Sequence, residues 1–330
     1  MYARESGECF LSYRIGSFNL YKFSFQSNKE IAKDFNMIAQ IIRKEKFDII
    51  ALQEVLNENA VKRLLSELGS NWDYRWASPE KSRTAQQAEG YAFIWNRNTM
   101  ELSWTNKKVS EYSDVTMKYY AEPHIYNQYR IDRNAGQKAL ARNPFYGRFR
   151  PKNSFCELRL INTHIRFSAD AETEQTAAKM RNNELDILLR VLYHNISMKR
   201  YGNNLPAYTI LLGDYNLNLK RKWTKSPYIE YETVIVDERQ IRTVQDQLTS
   251  LKQSVDENYS AEENRGYANN YDHFSYDENR FKGTYVKTKK IDTVRKYCHD
   301  DFAAHRKTIS DHVPISLSLN LRNTEENTDE

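Results

Sequence analysis

Ile210-Leu211-Leu212-Gly213-Asp214-Tyr215-Asn216 is an apolar run that stops abruptly on two polar side chains. The run has the length of a buried strand, and extended geometry points residues i and i+2 the same way, so Asp214 and Asn216 converge. Gly213 allows a backbone bend or a close ligand approach at that point. The same heptapeptide also suits a local Asp/Asn turn, and taken alone it supports both readings. What decides between them is recurrence.

Apolar runs ending in polar residues lie along the whole chain: Arg14–Phe18, Phe47–Leu52, Tyr91–Trp95, Glu157–Asn162, Ala207–Leu212 and Val313–Leu319. Each reads as a strand. Between them, Ile31, Phe35, Ile38 and Ile42 form one helical face and Leu185, Leu188, Leu189 and Leu192 another, while Val61, Leu64, Leu65 and Leu68 suggest a third helix. Interleaved strands and helices predict an α/β domain with sheets buried under helices. No repeat and no Gly/Ser or Pro linker divides the chain, so one domain over 1–322 is expected. Within it, 105–153 reads as a long surface excursion rich in Tyr, Arg and Asn, with Pro123, Gly136, Pro144 and Gly147 as turn formers. Residues 253–270 read as a second loop, and 323–330 as a disordered acidic tail.

The 330 residues are 40% hydrophobic, ordinary for a globular chain, and no run approaches the roughly 18 apolar residues of a membrane-spanning helix. Arg4, Glu5 and Glu8 stand where a secretory signal needs an apolar core. Cys9, Cys156 and Cys298 cannot all pair and lack metal-site spacing, so free thiols and a cytoplasmic location are expected. The net charge of +5 includes four acids in the tail; without them 49 basic residues stand against 40 acidic. Clusters such as Lys220, Arg221, Lys222 and Lys225, or Lys287, Lys289, Lys290, Arg295 and Lys296, suit either a solvated surface or a polyanion partner.

The strand ends carry the candidate chemistry. Ile15 to Asn19 ends in an amide, and Phe47 to Glu54 ends in a carboxylate able to hold a hard cation or to cap the following helix. Asn162 and His164 share one face of a strand, where a lone histidine is more commonly a satisfied core residue. Asp311 and His312 are neighbours; on a strand they would face opposite ways, so they share a site only in a turn or loop.

Ser17-Phe-Asn19, Gln53-Glu54, Glu89-Gly-Tyr91, Asn162-Thr-His164, Gly213-Asp214-Tyr-Asn216, Tyr271-Asp272 and Ser310-Asp311-His312-Val-Pro314 follow one another in an order and spacing that resembles the endonuclease/exonuclease/phosphatase superfamily. The match runs from Ile15 to Leu319 and is nearest the deoxyribonuclease I-like branch, because of Glu89 and His164. The resemblance implies a four-layered α/β/β/α sandwich with two mixed sheets and an active site where strand ends meet. It further implies magnesium, or manganese or calcium in its place, held by Glu54, Asn19 and Asp311. His312 would act as acid or base held by Asp272, with His164 as its counterpart held by Glu89. Asp214 and Asn216 would orient water or phosphate, and Arg142 and Asn162 would contact phosphate.

On this resemblance the expected activity is endonucleolytic hydrolysis of DNA or RNA. A phosphatase or phosphodiesterase on a small or lipid ester, such as an inositol phosphate or sphingomyelin, uses the same catalytic set, and fold alone does not choose. A silent binding module is the remaining alternative, disfavoured because every expected catalytic position is filled. Leu56 and Gln87 depart from the secreted nuclease, which has a minor-groove arginine and a DNA-stacking tyrosine there.

Overall fold

The central strands are apolar on both faces, and this dictates a layered molecule. In β2 (Ile49–Val55) Ile49 and Ala51 join one core cluster while Ile50 and Leu52 join another. In β8 (Glu157–His164) and β9 (Ala207–Asp214), Leu158, Leu160, Ile210 and Leu212 face that first cluster, whereas Ile161 and Leu211 face a third. Strands of this kind need cover on both sides. The computed structural model describes residues 10–25, 33–80, 89–103, 117–119, 140–167, 174–201, 205–219, 228–254, 266–282 and 284–322.

Two mixed sheets pack face to face through the first cluster. One has six strands in the order β13 (Val286–Lys290), β14 (Ile315–Arg322), β1 (Phe10–Phe23), β2, β4 (Glu89–Asn96) and β3 (Trp72–Glu80). The other has eight: β10 (Thr233–Val236), β11 (Arg239–Val244), β12 (Asp272–Asp277), β9, β8 and β7 (Phe145–Pro151), with β5 (Met100–Leu102) and β6 (Met117–Tyr119) both pairing with β7. Helices α1 (Phe35–Lys44) and α2 (Glu58–Leu68) cover the first sheet. Their starts are capped by Asp34 and Asn57, whose side chains accept from Met37 N and Ala60 N. Helix α3 (Glu174–Ile187) continues through a π-helical stretch, Leu188–Tyr193, into α4 (His194–Met198) and covers the second sheet. Short helices α5 (Thr293–Cys298) and α6 (Phe302–Thr308) precede β14. This is the expected four-layered sandwich.

Each sheet holds one parallel pair, β1 with β2 and β8 with β9, flanked by antiparallel neighbours. The C-terminal ends of the parallel strands therefore lie beside the first residues of β4, β12 and β14. That single rim collects Asn19, Glu54, Glu89, His164, Asp214, Asp272 and His312. Gly213 has φ +146°, and a Cβ there would lie 1.8 Å from the Thr163 carbonyl oxygen. Only glycine lets β9 press against β8 so that Asp214 falls level with His164. It serves strand packing, not the approach of a ligand.

The excursion expected over 105–153 is corrected at its end. Phe145–Pro151 is β7, an internal strand, with Phe145, Tyr146 and Phe149 buried. Its pattern is broken by Arg148, fully buried because Glu157 accepts from its Nε at 3.1 Å while also accepting from Arg159 Nε at 2.7 Å. Residues 105–116 and 120–139 of that excursion, 255–265 of the second loop, and the 323–330 tail lie outside the described residues, as does Cys9. Cys156 and Cys298 are free thiols, and no helix among the described residues is long and apolar enough to cross a membrane.

Candidate active site

Asp214 Oδ2 is the hub of the rim. Asn19 Nδ2 donates to it at 2.9 Å, His312 Nε2 lies 3.6 Å away and His164 Nε2 3.7 Å away. The last two separations exceed hydrogen-bonding distance, so both imidazole edges face a common space in front of one carboxylate oxygen. Each ring is fixed from behind by a carboxylate at Nδ1: Asp272 Oδ2 at 2.7 Å for His312 and Glu89 Oε2 at 2.8 Å for His164. The two pairs cross between sheets. Glu89 starts a strand of the first sheet and holds a histidine of the second, whereas Asp272 starts a strand of the second and holds the histidine that precedes β14 of the first.

The electrostatics follow from this placement. Burial disfavours the His312 imidazolium, but Asp272 and Asp214 together outweigh it and hold the pKa well above the ordinary histidine value. For His164, burial and the Arg142 guanidinium both oppose protonation; Glu89 and Asp214 overcome them, and the pKa is still raised. Burial pushes the Asp214 carboxyl up, helped by Asp272 and opposed by the two histidines and Asn19. Burial acts on Glu89 in the same sense, but His164 and Arg142 reverse it and leave its pKa lowered.

Backbone details aim these groups. Asp311 and His312 lie in the loop before β14, which meets the condition for both to reach one site. Glu54 has φ +57° at a register shift of β2, an unfavourable conformation for a non-glycine residue, costing of order 1–3 kcal/mol. The irregularity turns its carboxylate to the rim, where Oε1 accepts from Asn19 Nδ2 at 3.0 Å and Oε2 from Lys22 N at 2.9 Å. Asn216, at φ +51°, donates its backbone N–H to Asp214 Oδ1 at 2.9 Å and its side-chain amide to Ile165 O at 2.8 Å. The Asp/Asn turn is what forms: the strand ends at Asp214, and the Asn216 side chain is spent on Ile165 O.

Glu54 and Asp311 offer carboxylate oxygens of the kind a hard cation takes, although Asp311 Oδ2 also lies 3.6 Å from Arg306 Nη2. Asp311 Oδ1 is buried without a hydrogen-bond partner, and carboxylate oxygens are the donors magnesium takes. Lys33 stands near both; burial drives its pKa down to about 8 against their pull. Asp214, Asp272 and His312 form a second donor set, with ligand atoms within 4.8 Å of one another. Asn19 is oriented differently from the expected ligand. Its Oδ1 accepts from Tyr21 N at 3.0 Å and its nitrogen faces the carboxylates, so it positions Glu54 and Asp214.

The two residues expected to contact phosphate stand at different depths. Asn162 shares a strand face with His164 but lies deeper, fully buried between the sheets. Its amide donates to Leu52 O and Ala92 O at 3.0 and 3.3 Å and accepts from Gln53 Nε2 at 2.7 Å, which ties the sheets together. Arg142 does reach the rim, but its guanidinium is engaged by Glu89 Oε2 at 3.0 Å and donates to the His164 carbonyl at 3.3 Å.

The structure adds contacts that sequence reasoning missed, two of them made by residues already quoted within motifs. Ser310 Oγ donates to Asn19 O at 2.6 Å and accepts from His312 N at 3.0 Å, joining the ends of β1 and the last loop. Tyr91 accepts from His164 N at 3.2 Å. From α3, Arg181 donates to Asn216 O at 2.9 Å, and Glu184 accepts from Ala141 N at 3.1 Å. Burial pushes the Glu184 carboxyl up to about 7. Charged residues three apart on a helix read as a solvated face; these two are buried because they face strand-end backbone.

No protein-family model and no curated protein matches the sequence. Solved structures do. TDP2 from D. rerio, complexed with a single-strand DNA product, superposes with TM-score 0.54 at 13% identity over 94% of this chain and 99% of that one. An endonuclease/exonuclease/phosphatase family protein from Bacteroides thetaiotaomicron gives TM-score 0.52 at 14% identity over 95% and 99%. The chain shares the fold of these two proteins. The mannosyl-6-phosphatase Bt3783 of Bacteroides thetaiotaomicron VPI-5482 shares it too, with TM-score 0.52 at 16% identity over 93% and 99%. At these identities the likeness describes architecture, and the chemistry rests on the rim residues themselves.

Proposed function

We propose that the chain is a phosphoesterase that hydrolyses phosphodiester bonds in nucleic acid with the help of a divalent cation, magnesium first. The observation that carries this reading is the pair of carboxylate-held imidazoles whose Nε2 atoms stand 3.6 and 3.7 Å from the same Asp214 oxygen. Attack on a phosphodiester requires a deprotonated water, neutralised phosphoryl oxygens and a protonated leaving oxygen. Asp214 Oδ2 takes the proton of the attacking water. His312 and His164, as imidazoliums, donate to the phosphoryl oxygens, and one of them passes its proton to the leaving oxygen. Asn19 and Asn216 hold Asp214 in place. A divalent cation, when bound, supplies Lewis-acid charge at the phosphate; Glu54 and Asp311 would hold it.

Charge favours a polyanion over a small ester. Edge strand β13 carries Lys287, Lys289 and Lys290, and its register places Lys290 beside Ile315, three residues beyond His312. This basic strand leads directly to the rim, and phosphate contacts of that kind give salt-dependent affinity. The test is incubation with supercoiled plasmid, single-stranded RNA and inositol phosphates, with magnesium or with chelator, alongside Glu54→Gln. Nicking or RNA cleavage that needs both magnesium and Glu54 is expected. Release of inorganic phosphate without cleavage of either nucleic acid would replace the nuclease reading with a phosphatase. Activity indifferent to chelator and to Glu54→Gln would end the cation-assisted reading altogether.

A further inference from the structure

We infer that Phe167 is a stacking platform for a nucleobase next to the scissile phosphate, and so determines specificity for base-bearing substrate; this rests on the nucleic-acid reading above. Among the described residues Phe167 is one of few large apolar side chains left exposed, at 53%, and it alone of these stands within three positions of a histidine of the rim. Three residues of chain span at most about 11 Å, which bounds its distance from the His164 backbone. Single exposed apolar side chains are ordinary; what sets Phe167 apart is its place three residues after His164 and the cation held against its ring.

The ring is also held in place. The Arg181 guanidinium lies over it, 4.8 Å from the centroid, and Arg181 is itself buried and donates to Asn216 O at 2.9 Å. Asn216 in turn donates to Ile165 O, two residues before Phe167. Phe167, Arg181, Asn216 and Ile165 form a closed circuit through the same turn that orients Asp214. A cation against one ring face leaves the other for a ligand, and its positive charge suits the phosphates on either side of a stacked base. A flat, supported and half-exposed aromatic face matches the planar bases of nucleic acid, each of which offers a π face whatever its sequence. Preference among the four bases is therefore expected to be weak, while dependence on the presence of a base is strong.

The test compares wild type, Phe167→Ala and Phe167→Trp in magnesium on two oligonucleotides, one fully base-bearing and one carrying abasic sites on both sides of the cleaved bond. Stacking of about 1–3 kcal/mol per base corresponds to roughly a 5- to 150-fold loss of kcat/KM for Phe167→Ala on the base-bearing strand. On the abasic strand wild type and Phe167→Ala should cleave at the same rate, and Phe167→Trp should match wild type on both. Equal losses on the two strands, which a merely structural role would give, overturn the platform, as does no loss on either. Wild type that cleaves neither strand overturns the nucleic-acid reading and the platform with it.

Discussion

The two carboxylate–histidine pairs are near copies in distance and unequal in charge. Asp272 to His312 is 2.7 Å and Glu89 to His164 is 2.8 Å, and their outer nitrogens reach Asp214 at 3.6 and 3.7 Å. Asp272 is fully buried and, among the described residues, serves its histidine without a competing arginine, whereas Glu89 divides its charge between His164 and Arg142. Equal geometry therefore does not mean equal acidity. The His312 pKa is held well above the ordinary histidine value, whereas that of His164 is raised only against burial and a neighbouring guanidinium. The difference gives the proposed reaction a firm anchor for the phosphoryl charge on one side and a more readily released proton on the other.

Four substitutions break or sharpen this contrast. The largest effect is expected for His312→Ala, which should lower kcat by roughly 10²- to 10⁴-fold in a magnesium-dependent cleavage assay, with His164→Ala costing less. Identical losses would mean that the charge asymmetry has no catalytic meaning.

Next, Asp272→Asn removes the first of the carboxylates that raise the His312 pKa. The imidazolium is the form that this pair stabilises, so the stability it contributes is complete below the unfolded histidine value, near 6.5, and fades as pH rises through the raised folded value. The alkaline limb of kcat/KM should follow the same proton and move to lower pH in Asp272→Asn, measured from acid to alkaline pH at fixed ionic strength.

The smallest effect is expected for Arg142→Met, which removes a charge that opposes His164 protonation. The His164 pKa, followed by NMR of the ring protons, should rise further, and the change in kcat should be less than for either histidine. A fall in that pKa would show that Arg142 acts chiefly by holding Glu89 in place.

Much of the architecture was legible because continuous apolar runs such as Phe47–Leu52 and Ile210–Leu212 require cover on two faces, and polar residues at their ends mark one rim. β7 was not legible, because Arg148 inside it looks like surface until Glu157 arrives from a neighbouring strand. At the site, the resemblance to the superfamily, and not spacing alone, implied that His164, His312, Asp214, Asp272, Glu54 and Glu89 are neighbours. Spacing could not separate Asn162 from His164, since residues on one strand face differ in depth as well as direction, and depth depends on the opposing sheet. Arg181, Glu184 and Ser310 escaped for a related reason: they hold backbone groups, and nothing in a one-dimensional pattern says which carbonyl or N–H will need a partner.

The crossed pairing of acids and histidines couples catalysis to the mating of the two sheets. Each sheet alone keeps a carboxylate without its imidazole and an imidazole without its carboxylate, so neither half retains a weakened version of the centre. Partial opening of the sandwich would part both pairs at once, before any strand has come apart, and with them the proposed chemistry.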